Sequence, residues 1–398
     1  MEPRRSYAAP IAILYILFFM WGFVTSLNDI LIPHLKGLFD LNYTRVMLVT
    51  LFFFGAYFTM SLPASWLINR IGYKRSAAVG LGMMGVGCAL FYPASLVVWF
   101  PLFLLALYVL ASGMAVLQVT ANPYVVALGK PETGSSRLNL AQGFNSLAHT
   151  LAPLFGTLLI LTPAATDEVT KTEAVQVPYV GLAIFLFMLA IVFTAIRLPS
   201  IGSLRVKHVE GDSIWRHKHL VFGALAIFLY VGAEVSIGSF LVNFLGEKHI
   251  MNMPEDVAGN YVSYYWGSAM VGRFIGALLL QRIKPQLLLA VCCLGTISLV
   301  ITTVLASGQV AMWSILLVGF FNSVMFPTIF SISISGLGGM TSRGSGLLVM
   351  MIAGGGVIPI LQGVLADTIG IHRSFLITVL CYGYVMWFAI RGYKPKSP

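Results

Sequence analysis

Long stretches without a charged residue alternate along this chain with short polar breaks. Uncharged runs cover residues 6–28, 46–69, 76–129, 138–166 and 174–196, and later 285–342, 344–366 and 374–390. Two more apolar stretches hold one charge each, Glu234 in 219–246 and Arg273 in 257–281. A helix crosses a bilayer in about 20 mostly apolar residues. The runs of 54 residues (76–129) and 58 residues (285–342) are therefore long enough for two crossings each. The pattern predicts twelve spans, six on either side of the polar stretch 197–218. The period-2 alternation of a barrel is absent, and a helix satisfies its own backbone in lipid, so the expected class is an all-α membrane protein.

Composition agrees, with 58% hydrophobic residues, 10% charged residues and a mean hydropathy of +0.88. Of the 24 Lys and Arg, 18 fall in segments on the same side as the N-terminus, five on the opposite side, and Arg273 within a span. This bias predicts that both termini are cytoplasmic. It also accounts for the net charge of +10 as a topology signal spread over short loops, and no nucleic-acid partner is expected. Cys88, Cys292, Cys293 and Cys381 lie in apolar runs and behave as small hydrophobes. The first apolar segment is too long for a cleavable signal peptide and is expected to remain in the mature chain. No phosphate loop, metal-ligand spacing or nucleophile elbow occurs, so neither an enzyme nor a cofactor is expected.

The two halves resemble each other. Phe52-Phe53-Phe54-Gly55 aligns with Tyr264-Tyr265-Trp266-Gly267, and Asn69-Arg70-Ile71 with Gln281-Arg282-Ile283, both 212 positions apart. Gly22 pairs with Gly232 at an offset of 210. Gly113, Ser136-Arg137 and Pro153 fall on Gly319, Ser342-Arg343 and Pro359 at an offset of 206. The expected organisation is an N-terminal six-helix bundle (1–200), a cytoplasmic linker (201–216) and a C-terminal six-helix bundle (217–398). A parallel repeat of this kind resembles the major facilitator fold, with its substrate site near the midplane between the bundles. Arg70, Gly72, Lys74 and Arg75 resemble the basic signature loop of that superfamily, with Asn69 where an acid is usual. That loop reads as an inner gate or as a positive-inside anchor, and the two roles are compatible.

Polar residues within spans are the candidate chemistry. Span 1 places Trp21, Thr25, Asn28, Asp29 and Ile32 on one stripe. An aromatic face, an amide and an acid together suit a sugar, and an acid facing a partly dry cavity can exchange protons. Alternatively, Asp29 caps the outer end of its helix and meets His34 or Lys36. Span 4 adds Gln118 and Asn122 one turn apart, followed by Pro123. Span 5 adds Gln142, Asn145 and His149 on one face. Each of these amides taken singly reads as interhelical packing, and the group beside Asp29 reads as a site. In the second half, Glu234 sits about one turn from the repeat-equivalent of Asn28, and Arg273 is the cation expected to form a structural ion pair with it. Sugar binding or coupling by Glu234 is the alternative. Tyr265, Asn322 and Phe326 complete the candidate set, the last two one turn apart on a presumed single helix.

Three stretches resemble the fucose–proton symporter family of the major facilitators. They are Trp21-Gly22-Phe23 with Leu27-Asn28-Asp29-Ile30-Leu31-Ile32-Pro33-His34-Leu35, then Ser112-Gly113 with Leu117-Gln118-Val119-Thr120-Ala121-Asn122-Pro123-Tyr124, and Ser135-Ser136-Arg137-Leu138-Asn139-Leu140-Ala141-Gln142-Gly143-Phe144-Asn145-Ser146. The wording around Gln118 and Ser135-Ser136 is similar to the glucose/galactose branch. The resemblance implies proton coupling and sugar contact by Asp29, and sugar contact by Gln142 and Asn145. The fucose branch carries a glutamate where this chain has Gln118, which cannot titrate, so Asp29 remains the single evident proton carrier. The expected function is proton-coupled uptake of a hexose, glucose or galactose, by a monomer in the lipid bilayer of a bacterial inner membrane. A fucose-type substrate, a Na⁺-coupled or uncoupled facilitator, and a membrane sugar receptor are the alternatives.

Overall fold

The computed structural model describes residues 8–38, 43–97, 99–156, 168–196 and 213–394, with side chains described outside 8–9, 27–47, 153–175 and 256. Among the described residues every regular element is helical. The N-terminal half contains α1 (Ala8–Leu38), α2 (Tyr43–Val97), α3 (Phe100–Ala127), α4 (Gly134–Gly156) and α5 (Glu168–Ala195). The C-terminal half contains α6 (Lys218–Gly246), α7 (Glu255–Leu279), α8 (Pro285–Leu305), α9 (Gly308–Asn322), α10 (Met325–Ser333), α11 (Thr341–Met350), α12 (Gly354–Ile369), α13 (Ile371–Ser374) and α14 (Leu376–Trp387). Of the linker expected at 201–216, only 213–216 lie among the described residues.

Eight described stretches are long and apolar enough to cross a membrane. One of them, Leu48–Val97, is 50 residues long and turns back at Gly72, whose φ of 81° and ψ of 165° favour a residue without a Cβ. Helices α1, α4 and α7 are 31, 23 and 25 residues long and are not among the eight. Helices α4 and α7 carry Asn139, Gln142, Asn145 and His149, and Tyr264, Tyr265 and Arg273, which lower their hydropathy. With these three and the two limbs of α2, the helices accommodate the twelve predicted spans.

Proline placement explains how the helices are tied together. A proline has no N–H, so the carbonyl four residues earlier is left without its helical partner. Pro123 leaves the carbonyl of Val119, which accepts the Ser345 hydroxyl at 2.7 Å from the other half. Pro327 leaves the carbonyl of Ser323, which accepts the Arg273 Nε–H at 3.4 Å. Between Asn322 and Phe326, Ser323 and Val324 keep right-handed helical dihedrals, so α9 and α10 continue as one apolar stretch, Gly308–Ser333.

The repeat is physical as well as textual. Gly22 of α1 lies against the backbone of Asn145 on α4, and Gly232 of α6 lies against Gly354 and Ile358 on α12. The two equivalent glycines thus mark equivalent close approaches within each half. Across the halves, α4 packs on α7 and α10, and α11 packs on α2 and α3. The equivalent serines Ser136 and Ser342 both bridge this seam, donating to the Ala277 carbonyl and to Asn69 Oδ1, each at 2.6 Å. Ser135 and Ser331 share a hydrogen bond of 2.6 Å beside them.

A Cβ at Gly354 would collide with the backbone oxygen of Phe228, whereas one at Gly383 meets nothing within 4 Å. Gly354→Ala is therefore expected to destabilise the protein by ~1–3 kcal/mol through overpacking. Gly383→Ala is expected to leave the thermal unfolding midpoint in detergent unchanged. Equal midpoints for the two variants would contradict the close α6–α12 contact.

Candidate functional site

The four amides predicted on spans 4 and 5 are buried, and His149 is half-buried. Gln118 and Asn122 project from α3, and Gln142 and Asn145 from α4, with Asn122 fully buried. Gln118 Nε2 donates to the Tyr57 hydroxyl at 3.0 Å, joining α3 to α2, and the Trp21 indole of α1 acts on the same hydroxyl.

What these amides leave over is informative. Gln118 Oε1, Gln142 Nε2 and both polar atoms of Asn122 are buried with no hydrogen-bond partner, as is Ser112 Oγ. Leaving a buried polar atom unsatisfied costs about 1–3 kcal/mol. Several such atoms lie on α3 and α4, which contact each other, and a polyhydroxylated ligand that reached them would supply donors and acceptors together. Asn145 is engaged differently. Its Nδ2 donates to the Phe18 carbonyl at 3.0 Å, tying α4 to α1 beside Gly22. His149 Nδ1 meets the carbonyl of Asn145, one turn back on its own helix, at 3.1 Å, and the carbonyl of His149 accepts the Ser26 hydroxyl at 3.2 Å. The side chains of Asn28 and Asp29, central to the sequence reading, lie outside the described residues.

The C-terminal half holds a tighter network. Tyr230 donates to Glu234 Oε1 at 2.7 Å, and its oxygen lies 2.9 Å from the Asn322 carbonyl. Asn322 Nδ2 reaches the hydroxyls of Tyr265 and Tyr382 at 3.0 and 2.9 Å. Tyr265, Tyr382 and Asn322 are fully buried, and together these groups join α6, α7, α9 and α14. Phe326 is half-buried on α10, with its ring centroid 6.1 Å from that of Phe330.

The direct Glu234–Arg273 ion pair expected from the sequence is not formed. Arg273 instead donates through Nη1 to Ser146 Oγ and to the Gln142 carbonyl (3.4 Å), both on α4, and through Nε to the Ser323 carbonyl. The two charged groups still act on each other through space. The physical reason is acceptor supply. Pro327 frees one carbonyl, α4 presents a hydroxyl and another carbonyl, and Tyr230 already occupies one carboxylate oxygen.

In the predicted basic loop, Lys74 donates to the Thr194 carbonyl at 2.6 Å, and the Arg70 guanidinium lies 3.8 Å over the Trp66 ring. Both contacts stay within the N-terminal half, Arg75 is exposed, and it is Asn69 beside the loop that reaches α11. Sequence reasoning missed Tyr57, Ser146, Tyr230 as a carboxylate partner, and Tyr382. Tyr57 lies three residues beyond Phe54, in an aromatic segment that served there only to align the repeat. Among the described residues no group of three His, Cys, Asp or Glu could hold a metal ion.

Comparison with known proteins agrees with this architecture. The glucose/galactose transporter of Brucella abortus biovar 1 (strain 9-941) is 51% identical over 98% of this chain and 96% of its own length. The L-fucose-proton symporter of Escherichia coli (strain K12) is 33% identical, with coverage of 97% and 93%. The crystal structure of the transporter FucP in the outward conformation superposes with a TM-score of 0.88 at 32% identity, over 97% of this chain and 99% of that one. The profile of the Major Facilitator Superfamily matches residues 14–359, and with these relatives it establishes that the chain belongs to that superfamily.

Proposed function

We propose that this protein is a hexose–proton symporter that takes up glucose or galactose by alternating access between its two bundles, 1–200 and 217–398. The observation that carries this reading is the set of buried, unpartnered amide atoms on Gln118, Asn122 and Gln142. A pyranose presents hydroxyls that both donate and accept around an apolar ring face. Trp21, buried at 8% exposure and oriented by Tyr57, supplies an aromatic surface for that ring face. Sugar contacts are also assigned to Asn28 and Asn145, and from the other bundle to Glu234, Tyr265, Asn322 and Phe326. The relatives named above for glucose/galactose and L-fucose transport support a sugar of this class.

Asp29 is the proton carrier in this scheme. Protonation neutralises its carboxylate and lets the bundles close over bound sugar, and rehydration on the opposite side releases proton and sugar. Each inward proton gains about 2.3 kcal/mol per 100 mV of membrane potential, so one proton per sugar at about 100 mV and no pH gradient supports roughly 50-fold accumulation. The excess of basic residues on the N-terminal side supports cytoplasmic termini. The protein acts as a monomer in the cytoplasmic membrane of a bacterium, and the loop from Arg70 to Arg75 gates its inner face.

In proteoliposomes, Asp29→Asn is expected to retain counterflow of labelled galactose but lose uphill accumulation. If the variant concentrates sugar as well as the unmodified protein, Asp29 does not couple. Asn122→Ala is expected to raise the apparent KM about tenfold, the loss of roughly one or two ligand hydrogen bonds. Ser95→Ala, whose hydroxyl only meets its own helix at Tyr92, is expected to stay within about twofold. An unchanged KM in Asn122→Ala would remove α3 from the sugar site.

A further inference from the structure

Arg273 is the one cation predicted inside a span, and its hydrogen bonds run mostly to the other bundle. A guanidinium carries five N–H donors. Here Nη1 serves Ser146 Oγ and the Gln142 carbonyl on α4, and Nε serves the Ser323 carbonyl on its own side, whereas Nη2 makes no hydrogen bond among the described residues. Glu234 is complementary, with Oε1 held by Tyr230 and no hydrogen bond to Oε2 among the described residues. The two groups project from neighbouring helices α6 and α7 and feel each other's charge. The donor and acceptor that remain open therefore belong to opposite charges on adjacent helices of one bundle.

We propose that Arg273 is a partner-switching residue, docked on α4 of the N-terminal bundle in this state and on Glu234 of its own bundle when the bundles part along α4 and α7. An unpaired guanidinium in lipid is expensive, so leaving α4 requires a ready counter-charge. Glu234 provides it through Oε2, and a side-chain rotation that brings Nη2 to that oxygen forms a charge-assisted pair. The other titratable groups that sense the pair are Tyr230 on α6, Tyr265 on α7, Tyr382 on α14 and His149 on α4. The docked arrangement also ties the C-terminal bundle to the backbone of Gln142, whose side chain is one of the proposed sugar ligands. Sugar occupancy and the α4–α7 contact thereby meet at one residue. This inference rests on alternating access of the bundles but not on the identity of the sugar.

The test combines a conformational readout with a transport readout. Spin labels on Val177→Cys, exposed at the start of the apolar part of α5, and on Leu305→Cys, exposed at the end of α8, sit one in each bundle, while the four native cysteines are buried. Double electron–electron resonance in nanodiscs then reports how far the bundles have parted, whatever sugar is transported. The unmodified protein is expected to show two distances. Glu234→Gln removes the second partner, so a single distance should remain and galactose counterflow should fall at least tenfold. Arg273→Gln added to Glu234→Gln removes the cation that must be re-housed. The double variant should regain both distances and exceed the counterflow of Glu234→Gln severalfold, a non-additivity that a merely structural Glu234–Tyr230 bond would not produce. A double variant no better than Glu234→Gln, or a Glu234→Gln protein that behaves as unmodified, overturns the proposal. If the distances behave as expected but galactose does not move, the hexose reading fails and the switch stands.

Discussion

Within lipid, each backbone or side-chain polar group must find its partner in the protein or in what the protein binds. The architecture follows from that constraint. Where Pro123 and Pro327 strip carbonyls of their helical partners, Ser345 and Arg273 replace them from other helices. Where α1 and α4 approach closely at Gly22, the amide of Asn145 takes the Phe18 carbonyl. Ser136 and Ser342 apply the same rule at the seam between the halves, one on each side of the internal repeat. Gln118, Asn122 and Gln142 carry four of the buried side-chain atoms left unpartnered among the described residues.

The two bundles meet this constraint in different ways. In the C-terminal bundle, Tyr230, Tyr265, Tyr382, Asn322 and Glu234 are joined in one network, with Asn322 Oδ1 still unmet. In the N-terminal bundle, Gln118 bonds Tyr57 while its Oε1 and the amide atoms of Asn122 and Gln142 stay unmet. Arg273 is where the two meet, since its donors serve both.

Much of this was legible in the residues themselves. The uncharged runs located the helices, because length and hydropathy alone decide what can cross a bilayer. The repeat predicted from Gly22 and Gly232 reappears as two equivalent helix contacts, because a missing side chain permits close approach in either half. Gln118 and Asn122, read as sharing a face, are both buried on α3. The pairing of Glu234 with Arg273 was not legible. Sequence shows which charges lie inside but not which way each points, and it does not reveal that carbonyls and a hydroxyl would hold Arg273 in place of the carboxylate. Tyr57 escaped notice because its value comes from three helices meeting, which no single segment displays.

The central claim is that hexose hydroxyls complete the open amides of the N-terminal bundle. A structure determined with bound glucose or galactose tests it most directly. The account predicts hydroxyl oxygens within hydrogen-bonding distance of Gln118, Asn122 and Gln142, with the ring face toward Trp21. Sugar seated only among Tyr230, Tyr265 and Asn322, with those amides still unmet, would contradict it.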